Sequence, residues 1–175
     1  MSISRLSALR TAVLGAAGSA LLVGAMTVPA HADGSYTVVL HNGASGKCLE
    51  VPGGNFNNGA PVQQWDCNGG SNQKWTVVYG NGYSQIINVS TKKCLEIADW
   101  SKSAGAVARQ WDCHGGANQQ WVVAGIDQAG QTQLRNKNSW MVLDDPGSSP
   151  YNGQQMIQWP EKRGAANQAW TVAYR

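Results

Sequence analysis

A segment of this 175-residue chain repeats itself at an interval of 46 residues, and no other feature constrains the fold as strongly. Lys47-Cys48-Leu49-Glu50-Val51, Gln63-Gln64-Trp65-Asp66-Cys67 and Asn72-Gln73-Lys74-Trp75 form the first copy. They return as Lys93-Cys94-Leu95-Glu96-Ile97, Arg109-Gln110-Trp111-Asp112-Cys113 and Asn118-Gln119-Gln120-Trp121. A weaker third copy keeps the register in Met141-Val142-Leu143-Asp144-Asp145, Ile157-Gln158-Trp159-Pro160-Glu161 and Asn167-Gln168-Ala169-Trp170. A unit this short cannot bury an apolar face alone, so the three copies, 35–80, 81–126 and 127–175, must share one core.

Within each copy, short β-branched or aromatic runs alternate with turn residues. Val38-Val39-Leu40, Gln85-Ile86-Ile87 and Thr132-Gln133-Leu134 open the copies, and runs beginning at Trp75, Trp121 and Trp170 close them. Between them lie Pro52-Gly53-Gly54, Asn57-Asn58-Gly59, Asn68-Gly69-Gly70 and Pro146-Gly147. The pattern predicts an all-β chain with about four strands per repeat, about twelve in all. No segment carries a sustained helical period. Three such units can close around a pseudo-threefold axis as a barrel, which leaves few exposed sheet edges. Trp75, Trp121 and Trp170 are then equivalent core residues.

The four cysteines fall in the first two copies, Cys48 with Cys67 and Cys94 with Cys113, each pair 19 residues apart. That spacing favours one local disulfide per repeat. A zinc site would want C-x-x-C pairs, and the sequence has none. In the third copy Val142 and Glu161 occupy the cysteine positions, so its loop is expected to be less rigid. Disulfides agree with an N-terminal segment that reads as an export signal. Arg5 and Arg10 precede an uncharged small and apolar run, and Ala30-His31-Ala32 supplies a cleavage motif. Residues 1–32 are therefore expected to be a signal peptide and 33–175 a secreted domain with no membrane span. Without Arg5 and Arg10 the balance is 11 basic against 10 acidic residues, which argues against nucleic-acid binding.

Three Q-x-W motifs in register with C-L-E and Q-W-D-C elements give the sequence a family likeness. From Ser35 to Tyr174 the chain resembles the ricin-type β-trefoil lectins. The resemblance implies a β-trefoil that binds carbohydrate non-covalently at up to three shallow sites, with no cofactor, no metal and no catalysis. It also assigns roles. The acid of C-L-[ED] accepts hydrogen bonds from sugar hydroxyls, the tryptophan of Q-W stacks on the ring, Asn bonds a further hydroxyl and Gln braces the acid. The first site would hold Glu50, Gln63, Trp65, Asn72 and Gln73; the second Glu96, Arg109, Trp111, Asn118 and Gln119; the third Asp144, Ile157, Trp159, Asn167 and Gln168. The chemistry is sound, since a sugar has an apolar face for an aromatic plane and a hydroxyl rim for a carboxylate. Repetition of a weak site raises avidity on a polymer.

Other roles fit the same residues. The glutamines can satisfy loop backbone groups, Trp65, Trp111 and Trp159 can serve as packing residues, and Phe56, Trp100 and Tyr151 can either widen a sugar platform or pack locally. Only the third copy keeps Asp; Glu50 and Glu96 are expected to push the carboxylate outward by about 1.5 Å. His114 reads as a surface-loop residue, and no histidine sits in a nucleophile or metal motif. Two rival readings remain, a trefoil used as a protein-binding module such as a protease inhibitor or toxin accessory, and a degenerate trefoil with no ligand. The sequence does not specify the sugar or the oligomeric state.

Overall fold

Thirteen strands form among the residues that the computed structural model describes, 34–123, 125 and 127–175. The expected signal segment, 1–32, lies outside the described residues. Repeat 1 contributes β1 (Ser35–Asn42), β2 (Cys48–Glu50), β3 (Gln63–Trp65) and β4 (Trp75–Gly80). Repeat 2 contributes β5 (Tyr83–Asn88), β6 (Cys94–Ile97), β7 (Ala108–Trp111) and β8 (Trp121–Val123). In repeat 3 the opening segment is interrupted at Gln133 to give β9 (Gln131–Thr132) and β10 (Leu134–Asn136), followed by β11 (Val142–Asp144), β12 (Ile157–Trp159) and β13 (Trp170–Tyr174). No α-helix occurs among the described residues; six three-residue 3-10 turns are the helical pieces.

The antiparallel pairings run β1 to β4, β4 to β5, β5 to β8, β8 to β10, β9 to β13 and β13 back to β1, which closes a barrel. Each repeat also folds a two-stranded hairpin against one end: β2–β3, β6–β7 and β11–β12. This is the β-trefoil. Its pseudo-threefold axis is marked by a closed ring of backbone bonds: Val62 N–H donates to Ala108 O at 3.1 Å, Ala108 N–H to Met156 O at 2.9 Å and Met156 N–H to Val62 O at 2.9 Å.

Trp75, Trp121 and Trp170 are fully buried, as expected, and with Val38, Leu40, Ile86 and Leu134 they build the shared core. Each buried indole N–H needs an acceptor. They find it on the hairpin leucines, donating to Leu49 O, Leu95 O and Leu143 O at 2.9, 3.0 and 3.2 Å. Core and hairpins are thereby tied in every repeat.

Both predicted disulfides are present, Cys48–Cys67 and Cys94–Cys113. The third hairpin, expected to be looser, carries a different tie. Arg135 on β10 pairs with Glu161, at the position of the lost second cysteine, and donates to Trp140 O at 2.7 Å. The Arg135 guanidinium also holds the Glu161 carboxyl below its ordinary range.

The repeats interlock through a second cycle. Gln64, Gln110 and Gln158 are fully buried, and each side-chain amide crosses to the preceding repeat. Gln64 Nε2 donates to Ser149 O and Tyr151 O, Gln110 Nε2 to Asn55 O and Asn57 O, and Gln158 Nε2 to Ser101 O and Ser103 O. Each Oε1 accepts a hydroxyl from its own repeat: Ser45, Thr91 and Ser139 respectively. The loops so held turn at Gly59, Gly105 and Gly153, whose φ of 84°, 85° and 82° suits glycine.

Candidate functional site

Antiparallel register places each acid of C-L-[ED] opposite a residue of the Q-W strand. Glu50 faces Gln63, Glu96 faces Arg109 and Asp144 faces Ile157. The three cross-strand partners differ, and so do the three sites.

In the first site, Gln63 Nε2 donates to Glu50 Oε1 at 3.0 Å, while Gln73 Nε2 and Asn72 Nδ2 donate to Oε2 at 2.9 and 3.3 Å. A carboxylate offers about four lone-pair positions, so protein donors already take most of them. Trp65, two positions before Cys67, is 40% exposed. The cavity beside it has a volume of about 490 Å³ and includes Pro52, Gly53 and Ser71.

The second site is filled by its own side chains. Arg109 Nε donates to Glu96 Oε1 at 2.8 Å, its Nη2 reaches Asp99 at 3.0 Å, and its guanidinium lies 4.4 Å from the Trp111 ring centroid. Gln119 and Asn118 donate to Glu96 Oε2 at 3.0 and 3.3 Å, and His114 Nε2 is 3.4 Å from the same oxygen. His114, read above as a loop residue, is thus drawn into the site, where its ring stacks on Trp100 at 5.7 Å. Asp99 and Trp100 adopt φ of 54° and 55°, where the first repeat has Gly53 and Gly54. Left-handed backbone is unusual for a bulky residue. Here the Arg109 ion pair, the His114 stack and an Asn138 Nδ2 bond to Trp100 O hold it.

In the third site Ile157 has no donor, and Asp144 receives one hydrogen bond per oxygen: Asn167 Nδ2 to Oδ1 at 3.1 Å and Gln168 Nε2 to Oδ2 at 2.7 Å. A lone pair on each oxygen therefore remains for a ligand. Burial raises the Asp144 carboxyl above its ordinary value, against the lowering influence of Gln168, Lys162 and Asn167. The cavity, about 370 Å³, is lined by Asp144, Pro146, Gly147, Ile157, Trp159 and Lys162. Lys162 Nζ stands 5.9 Å from the Trp159 ring centroid.

The longer arms of Glu50 and Glu96 do not expose them. Both are as buried as Asp144, because the longer arm meets the additional donors Gln63 and Arg109. The glutamines of N-Q-x-W do more than one job. Gln73, Gln119 and Gln168 brace the acid, donate to Asp66 O, Asp112 O and Pro160 O, and accept from the N–H of Asn68, His114 and Lys162. The asparagines likewise bond both the acid and the next backbone carbonyl: Val51 O, Ile97 O and Asp145 O. Asp99, His114 and Lys162 were not among the residues expected in the sites, whereas Trp100, read as able to widen a platform or pack locally, lines the second one. His114 had a sequence signal, as the replacement of Asn68 in an otherwise repeated D-C-x-G-G turn.

Comparison with solved structures gives the same architecture. A designed threefold-symmetric protein, ThreeFoil, is 33% identical with a TM-score of 0.75, over 78% of this chain and 97% of that one. An exo-β-1,3-galactanase from Clostridium thermocellum is also 33% identical with a TM-score of 0.75, the match covering 80% of this chain but 30% of the enzyme. A Macrolepiota procera ricin B-like lectin in complex with lactose shares the fold at 17% identity and a TM-score of 0.70, over 83% and 99% of the two chains. The family model for the ricin-type β-trefoil lectin domain matches residues 36–170, which span all three repeats and every acid, tryptophan and N-Q pair described above. With hairpins, barrel and repeat motifs all in register, this chain belongs to the ricin-type β-trefoil lectin domain family.

Proposed function

We propose that this is an exported lectin that binds carbohydrate non-covalently and performs no catalysis, with its third repeat as the hydroxyl-reading site. One observation carries the reading: Asp144 keeps an open lone pair on each oxygen beside Trp159 in a single cavity. Two neighbouring hydroxyls of a sugar can donate to that carboxylate while the ring's apolar face meets the indole. In the second repeat Arg109 covers the corresponding indole and acid, so that site contributes little. The N-terminal segment and two disulfides support export.

Lactose, N-acetylgalactosamine and β-1,3-galactan fragments are the first ligands to titrate against the full chain by calorimetry. Asp144→Ala is expected to weaken binding of a single sugar about tenfold or more, since a hydrogen bond to a charged group contributes roughly 1.5–3 kcal/mol. A native melting curve would show that the variant still folds. If no sugar in a broad glycan panel binds, the reading fails, and a protein partner becomes the reading to test. Binding should also weaken in acid. The ionised form of Asp144 accepts the hydroxyls, and its raised pKa brings the loss on at a higher pH than an ordinary aspartate would. A titration of affinity against pH checks this.

A further inference from the structure

We propose that the first site takes an internal stretch of a glycan chain, with Tyr151 of the third repeat serving beside Trp65 as a second stacking platform. This rests on the lectin reading above and adds to it a second mode of binding.

Tyr151 follows the acid of its own repeat, yet its loop is fastened to the first repeat. Gln64 Nε2 donates to Ser149 O at 2.7 Å and to Tyr151 O at 3.1 Å, and Gly153 N–H donates to Gln64 O at 2.9 Å. Asn152 clasps Asp66 twice: Asp66 N–H donates to its Oδ1 at 3.0 Å, and its Nδ2 donates to Asp66 Oδ2 at 2.8 Å. The Trp65 ring edge comes so close to Gly153 that an added Cβ would lie 3.8 Å away. The loop that carries Tyr151 is therefore held against Trp65 and Asp66 of the first repeat.

Both rings are free to receive a ligand. Tyr151 is 75% exposed, and among the described residues no hydrogen bond or ring contact engages its side chain. Trp65 is the most exposed of the three Q-W tryptophans, and no cation covers it, whereas Arg109 lies over Trp111 and Lys162 near Trp159. Its acid, by contrast, is nearly saturated by Gln63, Asn72 and Gln73. A site with a bare aromatic plane and little spare acceptor capacity favours a ligand held by ring faces over one held by its hydroxyls. Adjacent rings of a chain present such faces in succession, and a clasped loop offers the second plane without the entropy of ordering it.

The test uses the full chain carrying Asp144→Ala, which silences the third site, titrated with β-1,3-galacto-oligosaccharides and xylo-oligosaccharides of one to four rings. Affinity is expected to rise with chain length, and Tyr151→Ala should reduce the tetramer-to-monomer affinity ratio about three- to tenfold. Tyr151→Phe keeps the plane and should retain the ratio. A ratio near one before Tyr151 is altered, or one that Tyr151→Ala leaves unchanged, overturns the proposal while the lectin reading stands. Failure of every fragment to bind even the unmodified chain removes the lectin reading itself, and this proposal with it.

Discussion

Asp145→Val is expected to stabilise the domain by about 3–4 kcal/mol at pH 8, with the gain shrinking toward pH 4. Asp145 sits in the core slot that Val51 and Ile97 fill in the other repeats, fully buried, with no side chain hydrogen-bonded to its carboxylate among the described residues. Burial, with the Asp144 carboxylate beside it, pushes its pKa up to about 7, and the Ser149 backbone offsets this only in part. A pKa raised on folding means that stability is fully present below the unfolded value near 3.8 and is lost as pH rises through about 7. Valine removes that slope and adds apolar burial. Asp144, raised by the same cause, contributes in the same direction. Asp66, Asp112 and Glu161 act oppositely, since partners lower them and their contribution is lost in acid. Urea denaturation of both proteins at pH 4, 6 and 8 isolates the Asp145 part as a difference. Equal midpoint shifts at all three values would show that Asp145 does not titrate in this window.

The second large effect is a loss. Gln110→Leu should destabilise by about 3 kcal/mol, because a similar apolar volume replaces an amide while its partners stay behind unpaired. Asn55 O, Asn57 O and the Thr91 hydroxyl would all lose a bond, and the first two belong to the neighbouring repeat. A fall of roughly 10 °C in melting temperature is expected. Hydrogen exchange should speed in the 55–59 loop as well as around Gln110. Exchange confined to the second repeat would mean that the amide does not couple the two.

Much of the frame was legible in sequence because it is local and repeated. The 46-residue spacing marks the repeats, the pairs 19 apart mark the disulfides, and the Q-x-W tryptophans mark the core. The acid and its Gln brace were legible too, because their contact recurs in all three copies. What distinguishes the sites was not. Glu against Asp suggested a displaced carboxylate, but the outcome depends on the residue across the hairpin, and Gln63, Arg109 and Ile157 decide how many lone pairs remain. Trp100 and His114 meet only because two left-handed residues aim one loop at another. The seat of Tyr151 beside the first repeat follows from the cyclic order of the units, which a linear pattern does not display.

The pairing of the first strand with the last has a mechanical consequence. Val38 lies opposite Tyr174 and Asn42 opposite Trp170, so the start of β1 and the end of β13 lie at the same end of one antiparallel ladder. Tension applied between Ser35 and Tyr174 would meet these hydrogen bonds in sequence, one rung after another, rather than all together. The barrel is therefore built to peel open under load at its own seam, while the Cys48–Cys67 and Cys94–Cys113 bridges cap how far the first two repeats can be drawn out.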